Sequence, residues 1–201
     1  MRGLALKMTC LVLFCFITGF AYGQGTIELP RTNETTCYDE NGNVISCTNT
    51  GQDGDIKAGE SWPAPRFHDN GNGTITDNLT GLIWLKNANC YTPLDWATSL
   101  QACNELGNGM CGLTDGSVAG DWRLPNIVEL ESLFSNSGVS DSAAWLMGQG
   151  FTNVISDYWS STTFIGDKGC AWLVNANGGV YYYDKRANVS KGHWPVRGGS
   201  N

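Results

Sequence analysis

Residues 121–133 read DWRLPNIVELESL, and this stretch decides the fold class. Asn126 precedes an apolar run, and Glu129 lies three residues after Asn126, a spacing that predicts a helix opened by a capping box. The apolar side chains recur at helical spacing, so the helix would turn one apolar stripe towards a core. These apolar positions are Ile127, Leu130, Leu133 and Phe134.

A meander of three short strands is predicted upstream of this helix, over residues 66–86. Its turns are NGNG (residues 70–73) and NLTG (residues 78–81), and Asn-Gly pairs readily adopt the positive φ that tight hairpins need. A first helix is predicted after the meander. Thr92 would be its N-cap, and the helix would end near Gly107.

The chain downstream of the second helix is rich in predicted strands. Residues 135–150 are predicted to form a long loop that contains one apolar patch at residues 143–147. Strands followed by two helices and further strands predict an α+β fold, with a small, mostly antiparallel sheet and with the N- and C-terminal strands side by side. The late strands are predicted over residues 158–164, 170–175, 180–183 and 193–197.

The N-terminus is typical of a secretory signal peptide over residues 1–23. Arg2 and Lys7 precede a short apolar run that closes with small residues. No later stretch is apolar and long enough to span a membrane, so we expect export to the periplasm, the cell surface or the medium without stable membrane insertion. The rest is predicted to form an extended arm with a hairpin (residues 24–65) and one domain (residues 66–199).

Composition narrows the class of protein. The chain has 201 residues, of which 41% are hydrophobic and 8 are Trp, so a sizeable core can form. The 26 Gly residues indicate a fold rich in turns. The formal net charge of −7 argues against nucleic-acid binding, which needs a basic surface.

The six cysteines outside the signal peptide suggest three disulfides, because an even number in an exported chain is typical of a disulfide framework. Cys37 and Cys47 flank an Asn-Gly turn, which predicts a bridged hairpin. The other four cysteines surround the first predicted helix and a late strand, and their pairing is less constrained. The favoured set of pairs is Cys37–Cys47, Cys90–Cys111 and Cys103–Cys170.

Motifs for metal binding or catalysis are weak. The loop after Asp69 resembles a calcium loop only faintly, because Gly71 and Gly73 occupy positions that need side-chain oxygens. There is no Cys-x-x-Cys motif for zinc. His68 and His193, the two histidines, are not near a nucleophile motif. We therefore expect no metal, no cofactor and no catalytic residue.

The candidate binding surface lies on the last strands, where tyrosine, tryptophan and asparagine are concentrated. Flat rings stack on sugars or proteins, and amides bind hydroxyl groups. If Val180 and Tyr182 face the core, strand alternation turns Tyr181 and Tyr183 outward; the alternative is that the rings are core and the asparagines build turns. The candidate residues are Trp172, Asn175, Asn177, Tyr181, Tyr183, Asp184, Lys185 and Asn188.

Several motifs resemble a bacterial family of unknown function, the Lcl C-terminal domain family, typified by the C-terminal domain of the Legionella collagen-like adhesin. The upstream segment TCYDENGNVISC is similar to an arm that such proteins often carry. The matching motifs are FHDNGNGTITDNLTGLIWLKNANC, CGLTDGSVAGDWRLPNIVELESL, YWSSTT, AWLVNANGGV and WPVRGG.

The resemblance implies a C-type lectin-like fold, in the variant shared with formylglycine-generating enzymes. It also implies exported recognition of a glycan or a surface protein, and adhesion. The calcium-lectin tripeptides Glu-Pro-Asn, Gln-Pro-Asp and Trp-Asn-Asp do not occur here, and Cys170 is the one late cysteine. Calcium-dependent sugar binding and the formylglycine-generating reaction are therefore not expected.

The expected function is an exported, non-catalytic binding or adhesion module that uses the surface of the C-terminal sheet. One alternative is a hydrolase acting on envelope glycans, which would need a cleft with two carboxylates or a free cysteine. A further alternative is a structural envelope protein whose surface serves assembly.

Overall fold

The structure, a computed structural model, describes residues 29–92, 94–134, 138–187 and 191–198. The predicted signal peptide and Asn188 lie outside these residues. The described helices are α1 (Asp53–Ile56), α2 (Trp96–Glu105), α3 (Ile127–Phe134) and α4 (Ser142–Gly148). The described strands are β1 (Cys37–Tyr38), β2 (Val44–Ile45), β3 (Phe67–Asp69), β4 (Thr74–Asp77), β5 (Ile83–Leu85), β6 (Asp157–Thr163), β7 (Cys170–Asn175), β8 (Val180–Asp184) and β9 (Val196–Arg197).

These elements form an α+β fold with small antiparallel sheets, as predicted. The hairpin β1–β2 stands in the arm, and the other sheets have the strand orders β3-β4-β5-β9 and β6-β7-β8. The predicted meander is confirmed as β3, β4 and β5. Strand β9 pairs with β5, so a strand near the end of the chain lies beside the first strands of the domain. The C-type lectin-like assignment stays a prediction from the resemblance.

The helix predicted at residue 127 begins with the expected capping box. The backbone N–H of Glu129 donates to Asn126 Oδ1 at 2.9 Å, and the N–H of Asn126 donates to the Glu129 carboxylate at 2.8 Å. These reciprocal bonds satisfy donors that the first turn of a helix leaves free. Arg123 adds an ion pair of 2.6 Å to the same carboxylate.

The start of α2 was predicted wrongly. Asp95, not Thr92, is the N-cap, and its carboxylate accepts the N–H of Thr98 at 2.9 Å. Both residue types cap helices well, so local sequence could not choose between them.

The described residues contain four helices where the sequence predicted two. Helix α4 lies inside the predicted loop of residues 135–150, and Asp141 caps it by accepting the N–H of Ala144. Helix α1 has four residues. Helices this short have little stability of their own, so tertiary packing decides whether they form.

The core is built around buried tryptophans. Trp194 lies edge-on to Trp84, with ring centroids 5.8 Å apart, and to Phe151, with ring centroids 5.0 Å apart. Its indole N–H donates to the carbonyl of Leu85 at 2.7 Å, so burial leaves no unpaired donor there. A second buried cluster joins α2 to the three-stranded sheet and includes Cys103, Trp159 and Leu173.

Two of the predicted disulfides are present, Cys37–Cys47 and Cys90–Cys111. The predicted Cys103–Cys170 bridge is wrong, because both of these thiols are free. Cys103 is buried in the cluster that contains Ala171. Cys170 precedes Ala171 in β7, and neighbouring residues of a strand point to opposite faces, so the Cys170 thiol turns away from Cys103.

The arm is held on the domain by a buried cation. The Arg66 guanidinium lies 4.3 Å from the ring centroid of Trp62 in the arm. It donates to both carboxylate oxygens of Asp77, at 3.2 and 3.1 Å, and to the carbonyl of Ser132 at 2.8 Å. Arg66 and Asp77 are both buried, so this ion pair has little contact with water.

Candidate binding face on the C-terminal sheet

The register of the three-stranded sheet divides the predicted site residues between two faces. Trp172 pairs with Tyr182, and Leu173 pairs with Tyr181. Directly opposed residues of an antiparallel pair share a face, and neighbours along a strand alternate. Tyr181, Tyr183 and Lys185 therefore share the face of Leu173, while Asp184 shares the face of Trp172.

The orientation of the tyrosines is the reverse of one expectation. One of the two arrangements considered from the sequence turns Tyr182 towards the core; in the structure Tyr182 is 51% exposed, and its ring stacks on Phe164 with ring centroids 4.1 Å apart. Tyr181 instead packs against the cluster of Leu173 and Trp159. Neighbouring side chains of β8 alternate between faces, as expected. Which of them turn inward depends on the face of the sheet that α2 covers, and this packing is a tertiary contact.

A polar network occupies the face that carries Tyr181. The Tyr181 hydroxyl donates to Asp157 Oδ1 at 2.5 Å and accepts from the Lys191 ammonium at 2.8 Å. The Lys191 ammonium also lies 3.2 Å from Asp157 Oδ2. The Asn175 amide donates to Asp157 Oδ1 at 2.9 Å. We call these four residues together with Tyr183, Lys185 and Trp96 the tyrosine–lysine face.

The network keeps its charged groups ionised. Burial acts to raise the pKa of Asp157, but hydrogen bonds from Tyr181, Asn175, Ser156 and Lys191 lower it to about 2. Burial and the hydrogen bond to Asp157 raise the pKa of Tyr181, so its hydroxyl keeps its proton. Burial lowers the pKa of Lys191, but its bonds to Tyr181 and Asp157 outweigh this effect and raise it.

An exposed ring lies beside the network. Tyr183 is 40% exposed, and the Lys191 ammonium lies 5.8 Å from its ring centroid. Two residues further along the same face, the Lys185 ammonium lies 4.2 Å from the ring centroid of Trp96. Lys185 also donates to the hydroxyl of Thr163 at 2.8 Å. The face thus combines a ring open to solvent with fixed hydrogen-bonding groups.

Three other candidate residues in the described ranges, Trp172, Asp184 and Asn177, lie off the tyrosine–lysine face. Asp184, on the other face, forms an exposed ion pair of 3.0 Å with Arg186. Asn177 stands in the β7–β8 turn and lines a cleft of about 550 Å³ between the arm and the domain, together with Thr32 and Tyr38. The candidate residues that the structure describes therefore divide between the two faces of the sheet and the β7–β8 turn.

Three members of the tyrosine–lysine face were missed by sequence reasoning. Asp157 immediately precedes a predicted strand, and a polar residue at a strand end carries no signal of its own. Trp96 was assigned to the core stripe of the first helix. Lys191 reaches Asp157 from a different segment, and only the fold brings the two together.

The surroundings of His193 and the grouping of acidic, histidine and cysteine side chains are the features that bear on catalytic and metal chemistry. His193 is buried and stacks on Tyr91 with ring centroids 5.1 Å apart. Neither ring nitrogen of His193 has a hydrogen-bond partner among the described residues, so no acid orients the ring for catalysis. Across all the residues that the structure describes, no group of three or more His, Cys, Asp or Glu side chains is arranged to hold a metal ion.

The comparisons with known proteins give one match. The family model described as the Lcl C-terminal domain matches residues 73–197. No curated protein and no solved structure matches the chain. Of the helices in the described ranges, none has the length and apolar character to cross a membrane.

Proposed function

Because this chain belongs to the Lcl C-terminal domain family, a family of adhesin-associated modules, we propose that it is an exported, non-catalytic module that binds glycans. The proposed site is the tyrosine–lysine face. One observation carries the proposal: the exposed ring of Tyr183 lies 5.8 Å from the Lys191 ammonium, and Tyr181 and Asp157 hold that ammonium in place. An aromatic ring can stack on the apolar face of a sugar while neighbouring amide and ammonium groups bind its hydroxyls.

The network favours binding because it is ordered before a ligand arrives. The Asp157 carboxylate holds Tyr181 in place through a short hydrogen bond and Lys191 through an ion pair. A lysine side chain that is already ordered loses less conformational entropy when it contacts a ligand. The face can therefore present its donors without a large ordering penalty.

The same chemistry supports binding more than hydrolysis. A glycosidase uses two carboxyl groups, and its general acid needs a raised pKa. On the tyrosine–lysine face, Asp157 is the one carboxylate that the described residues contribute, and its pKa is lowered to about 2. A group ionised at neutral pH cannot donate a proton to a leaving group.

Export is supported by the two disulfides, which form and persist in oxidising compartments. The signal-like residues 1–23 support the same destination. The cell surface, the periplasm and the medium are all oxidising enough to meet this requirement.

The test is binding of the secreted protein, with its disulfides intact, to a glycan array with and without a chelator. We expect selective binding that survives the chelator. Tyr183→Ala should weaken binding to a positive glycan by about tenfold or more. Tyr182→Ala is the matched control, because it removes another exposed tyrosine ring from the same strand but from the opposite face.

Each outcome has a clear meaning. Equal losses in the two variants would show that the tyrosine–lysine face is not the site. Silence across the whole array would reject glycan binding and leave a surface protein as the ligand class to test.

A further inference from the structure

Within the described ranges, strand β8 presents backbone groups at an unpaired sheet edge. The Asn175 N–H donates to the Gly179 carbonyl at 2.7 Å, and the Lys185 N–H donates to the Gly169 carbonyl at 2.9 Å. Both contacts belong to the unbroken β7–β8 register, so odd-numbered residues of β8 direct their backbone groups towards β7. The backbone groups of Val180, Tyr182 and Asp184 therefore point away from β7.

These outward groups have almost no partners in the described part of the chain. Strand β8 is the last strand of its sheet, and no described strand pairs with its outer edge. The Asp184 carbonyl accepts the N–H of Ala187 at 3.1 Å. The N–H and C=O groups of Val180 and Tyr182 are left available for a further strand.

The opposite edge of the same sheet is covered. The Trp159 N–H of β6 donates to the Gly192 carbonyl at 2.9 Å, and the Ser161 N–H donates to the Pro125 carbonyl at 2.7 Å. Proteins commonly cover or interrupt free edges, because an open edge pairs with other chains. Among the residues that the structure describes, one edge of this sheet is therefore covered and the other has no partner strand.

An aromatic patch adjoins the open edge. Tyr182 stacks on Phe164, and Trp172 lies edge-on to Phe164 with ring centroids 5.0 Å apart. Ile165, next in sequence, is 81% exposed. We call Phe164, Ile165, Trp172 and Tyr182 the aromatic patch. A strand added to β8 would turn alternate side chains towards this patch.

We propose that the β8 edge binds an extended peptide segment of another protein, which joins the sheet as a further strand. Backbone hydrogen bonds to Val180 and Tyr182 would hold the peptide, and its apolar side chains at alternate positions would cover the aromatic patch. The net charge of −7 disfavours a second copy of this chain and favours a partner segment that is basic. This site is distinct from the tyrosine–lysine face, because Tyr182 and Tyr183 point to opposite sides.

Amide hydrogen exchange tests the proposal directly. The probe is the synthetic peptide KVTVTVK, titrated into the secreted protein, with EVTVTVE as its charge-reversed comparator. Without peptide, the amides of Val180 and Tyr182 should exchange faster than those of Tyr181 and Tyr183. Saturating KVTVTVK should slow exchange at Val180 and Tyr182 by about tenfold or more, and EVTVTVE should bind more weakly.

Proline substitutions separate the edge from the fold. Tyr182→Pro removes an N–H that faces outward, a position where edge strands tolerate proline, so the protein should fold but lose KVTVTVK binding. Tyr183→Pro removes an N–H of the β7–β8 ladder and should lower the melting temperature. Tyr182→Ala keeps the outward N–H and loses the ring, so it should bind the peptide with reduced affinity.

Three results would overturn the proposal. One is unchanged exchange at Val180 and Tyr182 at saturating KVTVTVK. Another is unaltered peptide binding by a folded Tyr182→Pro protein. The third is protection of Val180 and Tyr182 that rises with protein concentration alone, which would assign the edge to a second copy.

Discussion

Replacing Asp157 with asparagine should weaken the fold by an amount that depends on pH. The pKa of Asp157 lies at about 2 in the folded protein, against an ordinary value of 3.8. Since one pKa unit corresponds to about 1.4 kcal/mol, this difference contributes about 2 kcal/mol to the free energy of unfolding. The side chain is only 14% exposed, so solvent screens the interaction little.

The sign follows from the lowered pKa. Because the folded state holds the proton less tightly than the unfolded state, the contribution is complete above the ordinary pKa of 3.8 and is lost as the pH falls through about 2. Asp157→Asn should therefore cost about 2 kcal/mol at pH 7. The difference in free energy of unfolding between the wild type and Asp157→Asn should shrink as the pH falls from 3.8 towards about 2.

Urea unfolding at a series of pH values between 7 and 2, with the disulfides intact, measures this difference. Asp184→Asn is the control, because Asp184 lies on the same sheet but forms an exposed ion pair, which contributes little. If Asp157→Asn lost the same free energy at every pH, the charge of Asp157 would be irrelevant. The account of the network that orders Tyr181 and Lys191 would then be wrong.

Two further predictions concern the core. Burial lowers the pKa of His193 to about 4, so the folded protein resists protonation there, and stability should fall by about 3 kcal/mol as the pH drops from 6.5 to 4. His193→Phe keeps a ring to stack on Tyr91. In this variant the free energy of unfolding in urea should vary less between pH 6.5 and pH 4 than in the wild type. An equal pH dependence in both proteins would show that His193 is not its source. Asp77→Ala leaves the buried Arg66 cation unpaired and should cost about 3–5 kcal/mol in urea unfolding at pH 7. If the free energy of unfolding fell by less than about 1 kcal/mol, water would be solvating the Arg66 guanidinium in place of Asp77.

Local sequence signals predicted the parts of the fold that depend on neighbouring residues. The capping box at Asn126 and the meander of residues 66–86 each need a few adjacent side chains, and both are present. The family assignment likewise rests on continuous motifs. Helix α4 was missed because seven residues cannot form a stable helix without the packing that the rest of the domain supplies.

The candidate site shows the same limit more sharply. The sequence pointed to the sheet that carries the proposed face and to four of its members, including Tyr181 and Tyr183, but it mixed residues of both sides of that sheet. Shifting the register of a strand by one residue moves every side chain to the opposite face of the sheet, and nothing in the sequence of β8 indicates which face is buried. The contact with α2 decides that Tyr181 turns inward and Tyr182 outward.

The sequence by itself determined the α+β class, the family, the Cys37–Cys47 hairpin and the capping box of α3, because each depends on residues near one another in the chain. Only the tertiary structure decided that Cys103 and Cys170 point to opposite faces. It alone also brought Lys191 to Asp157 and left the outer edge of β8 without a partner strand in the described part of the chain. These features depend on contacts between distant segments, and such contacts are chosen by the packing of the whole core rather than by any local pattern.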